Sequence, residues 1–426
     1  MRKNLLLPRG AMDRLRNVLL QRQLKTAYQQ VPFYRSLFEG AKVSPFEIKT
    51  VADLHRLPII TKKDIRQHQQ WILNRKYQKA RCYRSHTSGS TGEPTWTYFD
   101  RYCWYRKKYF SKIRARMACG MEWGEKVVIL ESEATRELRI KNRKFSKLFL
   151  LFPVTYLSIY EHPGPLLNRL IELQPHNVYS PPSSLFVLSQ KAKQVGKSVR
   201  SLKRIFTSSE YLAHPIKRNI EKSLRAKVYD IYGSTETKEI AWQCSRADGY
   251  HINEDEVIVE IVDERGTVLP PGSPGNIVIT DLQNQAMPLI RYRNQDQGLL
   301  LKEPCSCGFG FSLMKPLSGR ASEHICLPNG RCISPFLFTT SIEKTKGLLQ
   351  YQIIQERSDS IKVKTIFDKG LFEPGSNAIR SILAVVTENL MTIEIENCDN
   401  IDIEKNGKLM VVKTDINHER SPEHQC

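Results

Sequence analysis

From about residue 125 to residue 300 the chain alternates short β-branched runs with stretches of helical period, and this limits the fold more than any other feature. Val127-Val128-Ile129-Leu130, Arg204-Ile205-Phe206 and Val228-Tyr229 are short apolar runs of strand length, and residues 256–262 alternate as a half-buried strand does. Strands separated by helices predict an α/β architecture with helix-covered sheets. After Gly319-Arg320 the pattern changes to strands at 351–355, 361–367, 391–395 and 408–413 around a helix at 376–390. About 100 residues of that content make a small separate domain. The expectation is a large N-terminal multi-sheet α/β domain over residues 1–318 and a small C-terminal α+β domain over 319–426. The first ~40 residues have helical period, and Thr61 stands as a helix N-cap.

Charge is unevenly placed. The net +21 lies entirely in residues 1–150, where 33 Lys and Arg face 12 Asp and Glu. Runs such as Arg106-Lys107-Lys108 and Arg143-Lys144 carry it. Two readings stand side by side: a face that meets phosphates or a peripheral anionic surface, or an ordinary solvated basic surface. No nucleic-acid-binding motif accompanies the charge, so a nucleic-acid partner is not expected. No run reaches the ~18 apolar residues of a membrane span. The apolar stretch 5–7 is too short for a signal-peptide core. The expectation is a cytoplasmic protein with reduced thiols among its 10 cysteines.

Two constellations carry chemistry. In His86-Thr87-Ser88-Gly89-Ser90-Thr91-Gly92-Glu93-Pro94, every residue from 87 to 92 is glycine or bears a hydroxyl. Such a run cannot build core, but its backbone N–H groups and hydroxyls can converge on one anion. It is not a Walker loop, because no Gly-Lys-Ser/Thr follows. A Ser/Gly linker is the plainer alternative, and the flanking Tyr83 and the aromatic-rich 96–99 argue against it. The second constellation is Cys244, His251, Cys305 and Cys307, a thiolate-and-imidazole set that fits a closed tetrahedral zinc site; its alternative is a group of unrelated residues.

The loop Thr87-Ser88-Gly89-Ser90-Thr91-Gly92-Glu93-Pro94 resembles the phosphate-binding loop of the adenylate-forming superfamily, which holds the acyl-CoA synthetases and peptide-synthetase adenylation domains. Further motifs follow in that family's order. Tyr232-Gly233-Ser234-Thr235-Glu236 resembles YGxTE, Tyr292-Arg293-Asn294-Gln295-Asp296 resembles YRTGD, Gly319-Arg320 resembles the hinge GR, and Gly407-Lys408 the C-terminal GK. Phe33-Tyr34, Leu57-Pro58-Ile59-Ile60-Thr61-Lys62 and Ala286-Met287-Pro288-Leu289-Ile290-Arg291-Tyr292 resemble phenylacetate–CoA ligases and their capsule-polysaccharide-biosynthesis relatives.

The resemblance implies the adenylate-forming fold and an AMP-forming acid ligase acting on ATP, Mg²⁺ and a small carboxylic acid. The acyl acceptor it implies is coenzyme A; the alternatives are an amine or sugar, or a non-catalytic nucleotide-binding partner. Residues 87–92 would hold phosphate, with Thr91, Glu236 and Lys408 as the catalytic set. Glu236 would hold Mg²⁺, and Lys408 would place an ammonium at the α-phosphate. Tyr232, Gly233 and Thr235 would line the nucleotide site, with Tyr232 stacked on adenine beside Ser209 and Glu210. Asp296 would accept both ribose hydroxyls, and Arg320 would reach ribose or phosphate. Relatives of the branch carry a set like Cys244, His251, Cys305 and Cys307, which supports structural Zn²⁺. Ser322 stands where relatives carry the Asp or Lys pivot of the hinge.

Overall fold

The computed structural model describes residues 2–86, 95–131, 152–246, 249–320, 325–333, 335–402, 409–414 and 416. Thr87, Ser88, Gly89, Ser90, Thr91, Gly92, Ser322 and Lys408 lie outside the described residues, and Arg320 is described by its backbone alone. The architecture is mixed α/β, as the alternation predicts. The chain divides into two compact units, each built from two separate stretches: residues 1–123 with 229–317, and 124–228 with 318–426.

The first unit carries an antiparallel arrangement in the order Val257–Val262, Gly275–Asp281, Tyr292–Leu300, Leu313–Arg320, Tyr250–Ile252, Lys238–Gln243, Lys227–Ser234. Helices Arg9–Gln30 and Pro32–Gly40 pack with it in one core that includes Leu24, Tyr34, Phe38, Ile60, Leu289 and Tyr292. Thr61 caps the helix Lys62–Gln67 as the sequence predicts, accepting from the Asp64 N–H while Asp64 accepts from the Thr61 N–H at 2.7 Å. A separate hairpin pairs Tyr83–His86 with Trp96–Phe99, on either side of residues 87–94 in the sequence.

The second unit has a parallel sheet in the order Val154–Ser158, Val127–Glu131, Asn177–Tyr179, Arg204–Ser208. Its strands are joined through helices Pro163–Leu173 and Pro182–Val195. Parallel neighbours need such crossovers, and the apolar strand runs follow from burial on both faces. The C-terminal stretch forms a four-stranded sheet in the order Thr392–Asn397, Ser360–Phe367, Leu348–Arg357, Val412–Thr414, with helix Phe372–Val386 as the crossover between two parallel strands. Its Phe338, Ile342, Tyr351 and Ile353 share one buried cluster with Leu185, Phe186, Ile216 and Ile220 of the Pro182–Val195 and His214–Leu224 helices. Cys326 departs from the reduced-thiol expectation: it is disulfide-bonded, and the hairpin register sets it opposite Cys332. Among the described residues no helix is long and apolar enough to cross a membrane.

Candidate active site

The site begins in a tight hairpin. Lys227–Ser234 pairs with Lys238–Gln243, and Ser234↔Lys238 closes a loop of Thr235, Glu236 and Thr237. Gly233 is required here, since a Cβ at that position would lie 2.5 Å from the Lys238 carbonyl oxygen. The Ser234 hydroxyl accepts from the Thr237 N–H at 3.0 Å and tightens the turn. Glu236 sits in the middle of this turn, 6% exposed, and its Oε1 accepts from the Tyr292 hydroxyl at 3.1 Å.

Tyr292 is itself locked. Ile60 N–H donates to the Arg291 carbonyl at 3.0 Å, and Arg293 N–H donates to the Ile60 carbonyl at 2.9 Å. The Tyr34 hydroxyl donates to Pro288 O at 3.0 Å and accepts from the Ile290 N–H at 2.9 Å. Arg291 reaches the Leu57 carbonyl and ion-pairs with Glu260 at 3.1 Å. The three segments around residues 33–34, 57–62 and 286–292 therefore meet in one place. Their joint effect is to fix the strand that carries Asp296.

That strand is bulged. Between the pairs Val278↔Arg293 and Asn276↔Gln297, residues 294–296 face only residue 277. Bulges re-aim side chains next to functional sites. Here Asp296 Oδ2 accepts from the Tyr232 hydroxyl at 2.8 Å and from Asn294 Nδ2 at 3.0 Å. Asn294 Nδ2 also reaches the Tyr232 hydroxyl at 2.8 Å, and its Oδ1 accepts the Asp296 N–H at 3.1 Å. Asn294 is a positioning residue that sequence reasoning missed, although its side-chain amide, where the family motif has threonine, was a visible signal. Gln295 occupies the glycine position of the motif with φ +72°. An L side chain in that region costs about 1–2 kcal/mol. Gln295→Gly should therefore raise stability in chemical denaturation by up to about 1 kcal/mol, the part left after glycine's extra unfolded-state entropy. A loss of stability would show that the exposed Gln295 side chain makes contacts that outweigh its backbone strain.

Part of the basic first third is internal. Lys107 and Asp281 are both fully buried and 2.7 Å apart, and Lys107 Nζ also donates to the Thr237 carbonyl at 2.9 Å. Arg114 pairs with Asp255 at 2.7 Å, and Arg9 and Arg16 both pair with Glu254. Lys107 thus braces the Glu236 turn from below. Lys238, at the end of the turn, donates to the Ser85 hydroxyl at 2.5 Å and the Thr235 carbonyl at 3.0 Å. Burial lowers its ammonium to about 8, against the pull of Glu239 and Glu236.

In the second unit, Ser209 adopts φ +78° at the end of the Arg204–Ser208 strand. Glu210 receives the Ser183 N–H at 3.0 Å and the Ser183 hydroxyl at 2.8 Å. Its carboxylate thereby caps the first turn of the Pro182–Val195 helix.

The cysteine–histidine set converges. The ligand atoms of Cys244, His251, Cys305 and Cys307 all lie within 4.8 Å of one another. Cys244 Sγ is 3.5 Å from Cys305 Sγ, and Cys307 Sγ is 3.3 Å from His251 Nε2. Two ~2.3 Å Zn–S bonds at a tetrahedral angle separate their sulfurs by about 3.8 Å, so the spacing fits one ion. His251 Nδ1 faces the Phe311 carbonyl at 3.2 Å, which leaves Nε2 for a metal. Backbone N–H groups of Arg246 and Phe309 approach the Cys244 and Cys307 sulfurs. Burial pushes the Cys307 thiol up to about 12; Phe309 N–H opposes this, while Cys305 and Cys244 add to it. Such a set holds thiolates only when a cation compensates them.

Known proteins resemble this chain along most of its length. The family described as CapK C-terminal domain matches residues 325–415. Phenylacetate-coenzyme A ligase of Thermus thermophilus is 26% identical over 371 residues, covering 83% of this chain and 80% of that protein. The Escherichia coli enzyme of the same name is 28% identical over 374 residues, covering 83% of each. The structure of 2-hydroxyisobutyryl-CoA ligase in the postadenylation state, in complex with 2-HIB-AMP, superposes with a TM-score of 0.80 at 19% identity. It covers 98% of this chain and 92% of that one, which shows a shared fold. The motif order, the fold and these relatives agree: the chain is similar to the phenylacetate–CoA ligases and to CapK, and it has the fold of the adenylate-forming CoA ligases.

Proposed function

We propose that this protein joins a small carboxylic acid to AMP at the expense of ATP and then transfers the acyl group to coenzyme A. The observation that carries the reading is the convergence of Glu236, Tyr232 and Asp296, drawn from two distant motifs and linked through Tyr292 and Asn294. The related ligases named for coenzyme A support the thiol as acceptor.

In the first half-reaction a carboxylate oxygen of the acid attacks the α-phosphorus of ATP. The bond from the α-phosphorus to the bridging oxygen breaks, and pyrophosphate leaves. Catalysis of such a displacement is mostly positioning and stabilisation of spread negative charge. Glu236 fits a Mg²⁺ ion: it is a carboxylate held by one neutral hydroxyl at the tip of a rigid turn. That ion would neutralise phosphate charge. Asp296, aimed by Asn294, would accept the ribose hydroxyls, and Tyr232 would lie against adenine. Residues 87–92 and Lys408 would bind the phosphates.

In the second half-reaction the coenzyme A sulfur attacks the acyl carbon, AMP leaves, and the thiol proton passes to solvent. We assign the reorientation between the two steps to residues 319–426, with a hinge at 319–322. The cytoplasm, which supplies both ATP and coenzyme A, is the assigned site of action. Incubation with ATP, an acid library and coenzyme A should give an acyl-CoA detectable by mass spectrometry. Adenylate consumed only when an amine or a sugar is added would overturn the thiol assignment.

The Cys244, His251, Cys305 and Cys307 set is assigned to structural Zn²⁺. Four protein ligands leave no open position, so its contribution is to folding. Elemental analysis should find about one zinc per chain, as one four-ligand site requires. Cys305→Ser should lower zinc content and Tm together while activity per folded molecule is kept. Zinc-free protein with the Tm of the purified wild type would exclude the site.

A further inference from the structure

Lys238 combines two features that a fold does not retain for packing alone. It closes the three-residue loop around Glu236 with φ +64°, where glycine is the ordinary solution. It also takes a half-buried ammonium into a setting where, among the described residues, no carboxylate lies within ion-pair distance. Nearby Glu239 is engaged by Lys112 at 3.1 Å. The partners of Lys238 are neutral: the Ser85 hydroxyl, the Thr235 carbonyl, and the faces of Phe99 and Trp104 at 4.9 and 5.3 Å. Trp104 is backed in turn by Tyr83, stacked at 5.2 Å. Removing an ammonium from water is costly, and aromatic faces and neutral acceptors return only part of that cost. A glycine here would meet neither cost.

What Lys238 gains is a connection. Thr235 is the residue before Glu236, and Ser85 stands on the strand Tyr83–His86, which ends where residue 87 begins. The ammonium therefore ties the turn that presents Glu236 to the strand that leads into the glycine- and hydroxyl-rich segment. We propose that Lys238 is a positioning residue for the Mg·triphosphate, holding the Thr235–Glu236 turn in register with the Tyr83–His86 strand. This rests on the nucleotide reading of Glu236 given above. The role concerns the nucleotide, because one tie ends on the Thr235 carbonyl beside Glu236 and the other on the strand that precedes residue 87.

The test is Mg·ATP binding by calorimetry, without acid, to wild type, Lys238→Met, Lys238→Gly and Lys238→Arg, with melting curves for each. Lys238→Met and Lys238→Gly should bind Mg·ATP about tenfold more weakly, the scale of losing one charged hydrogen bond. Both should melt no more than a few degrees below wild type, with Lys238→Gly the higher of the two because it also relieves the backbone. In acid-dependent pyrophosphate exchange, KM for ATP should rise while KM for the acid stays within about twofold, as expected when only nucleotide binding is lost. Lys238→Arg should recover most of the affinity. Wild-type affinity in the Met and Gly variants, or a Tm that falls in step with binding, would overturn the proposal. A wild-type protein that does not bind Mg·ATP would instead remove the nucleotide reading on which it stands.

Discussion

Glu236→Ala is expected to abolish acid-dependent pyrophosphate–ATP exchange, lowering it by about a thousandfold or more, as loss of a group that organises transition-state charge does. The carboxylate is nearly buried and receives one hydroxyl, that of Tyr292. Alanine would remove the hydrogen bond that this hydroxyl makes to the carboxylate, which costs stability on the order of 1–3 kcal/mol for a bond to a charged group. The turn itself is held by other contacts: the Ser234–Thr237 hydrogen bond, Lys107 on the Thr237 carbonyl and Lys238 on the Thr235 carbonyl. The variant should therefore fold and bind nucleotide weakly, without turning it over. Tyr292→Phe separates support from chemistry. It keeps the carboxylate, so it should lose far less activity than Glu236→Ala. Equal losses in the two variants would place the function in the Tyr292 hydroxyl instead.

Lys408→Ala should cut adenylate formation by about a hundredfold or more, the usual size for one preorganised charge at a developing oxyanion. Acyl transfer from a preformed acyl-adenylate should be much less affected, because no α-phosphate displacement occurs in that step. Measuring the two half-reactions separately by single-turnover kinetics gives the contrast. Losses of the same size in both would show that Lys408 acts through folding of the C-terminal domain.

The parts of this protein that were legible in the sequence are those where neighbouring residues decide the outcome. The Thr61–Asp64 capping box is local chemistry, and the structure has it. The strands at Val127–Glu131 and Arg204–Ser208 follow from short apolar runs. The Tyr232–Glu236 motif was legible through its resemblance, while the hairpin that carries it was not. Less visible were features made by residues far apart in the chain. Arg106-Lys107-Lys108 reads as a surface run, yet Lys107 is buried against Asp281, 174 positions away. Arg106 reaches Asp255 in the same way. A charge run carries no record of its distant partners, so a solvated face and an internal ion pair look alike in sequence. Lys238 and Asn294 were passed over for a related reason. Each stands two positions from a recognised acidic residue and acts through hydrogen bonds that only the folded hairpin and bulge create.

The most direct test of the central claim is the identity of the nucleotide products. Purified protein incubated with ATP, Mg²⁺ and a panel of carboxylic acids, without coenzyme A, should yield AMP-linked acid and pyrophosphate, read by mass spectrometry and by exchange of labelled pyrophosphate into ATP. Both signals should depend on the acid and disappear in Glu236→Ala. Acid-dependent release of ADP and inorganic phosphate would contradict the account.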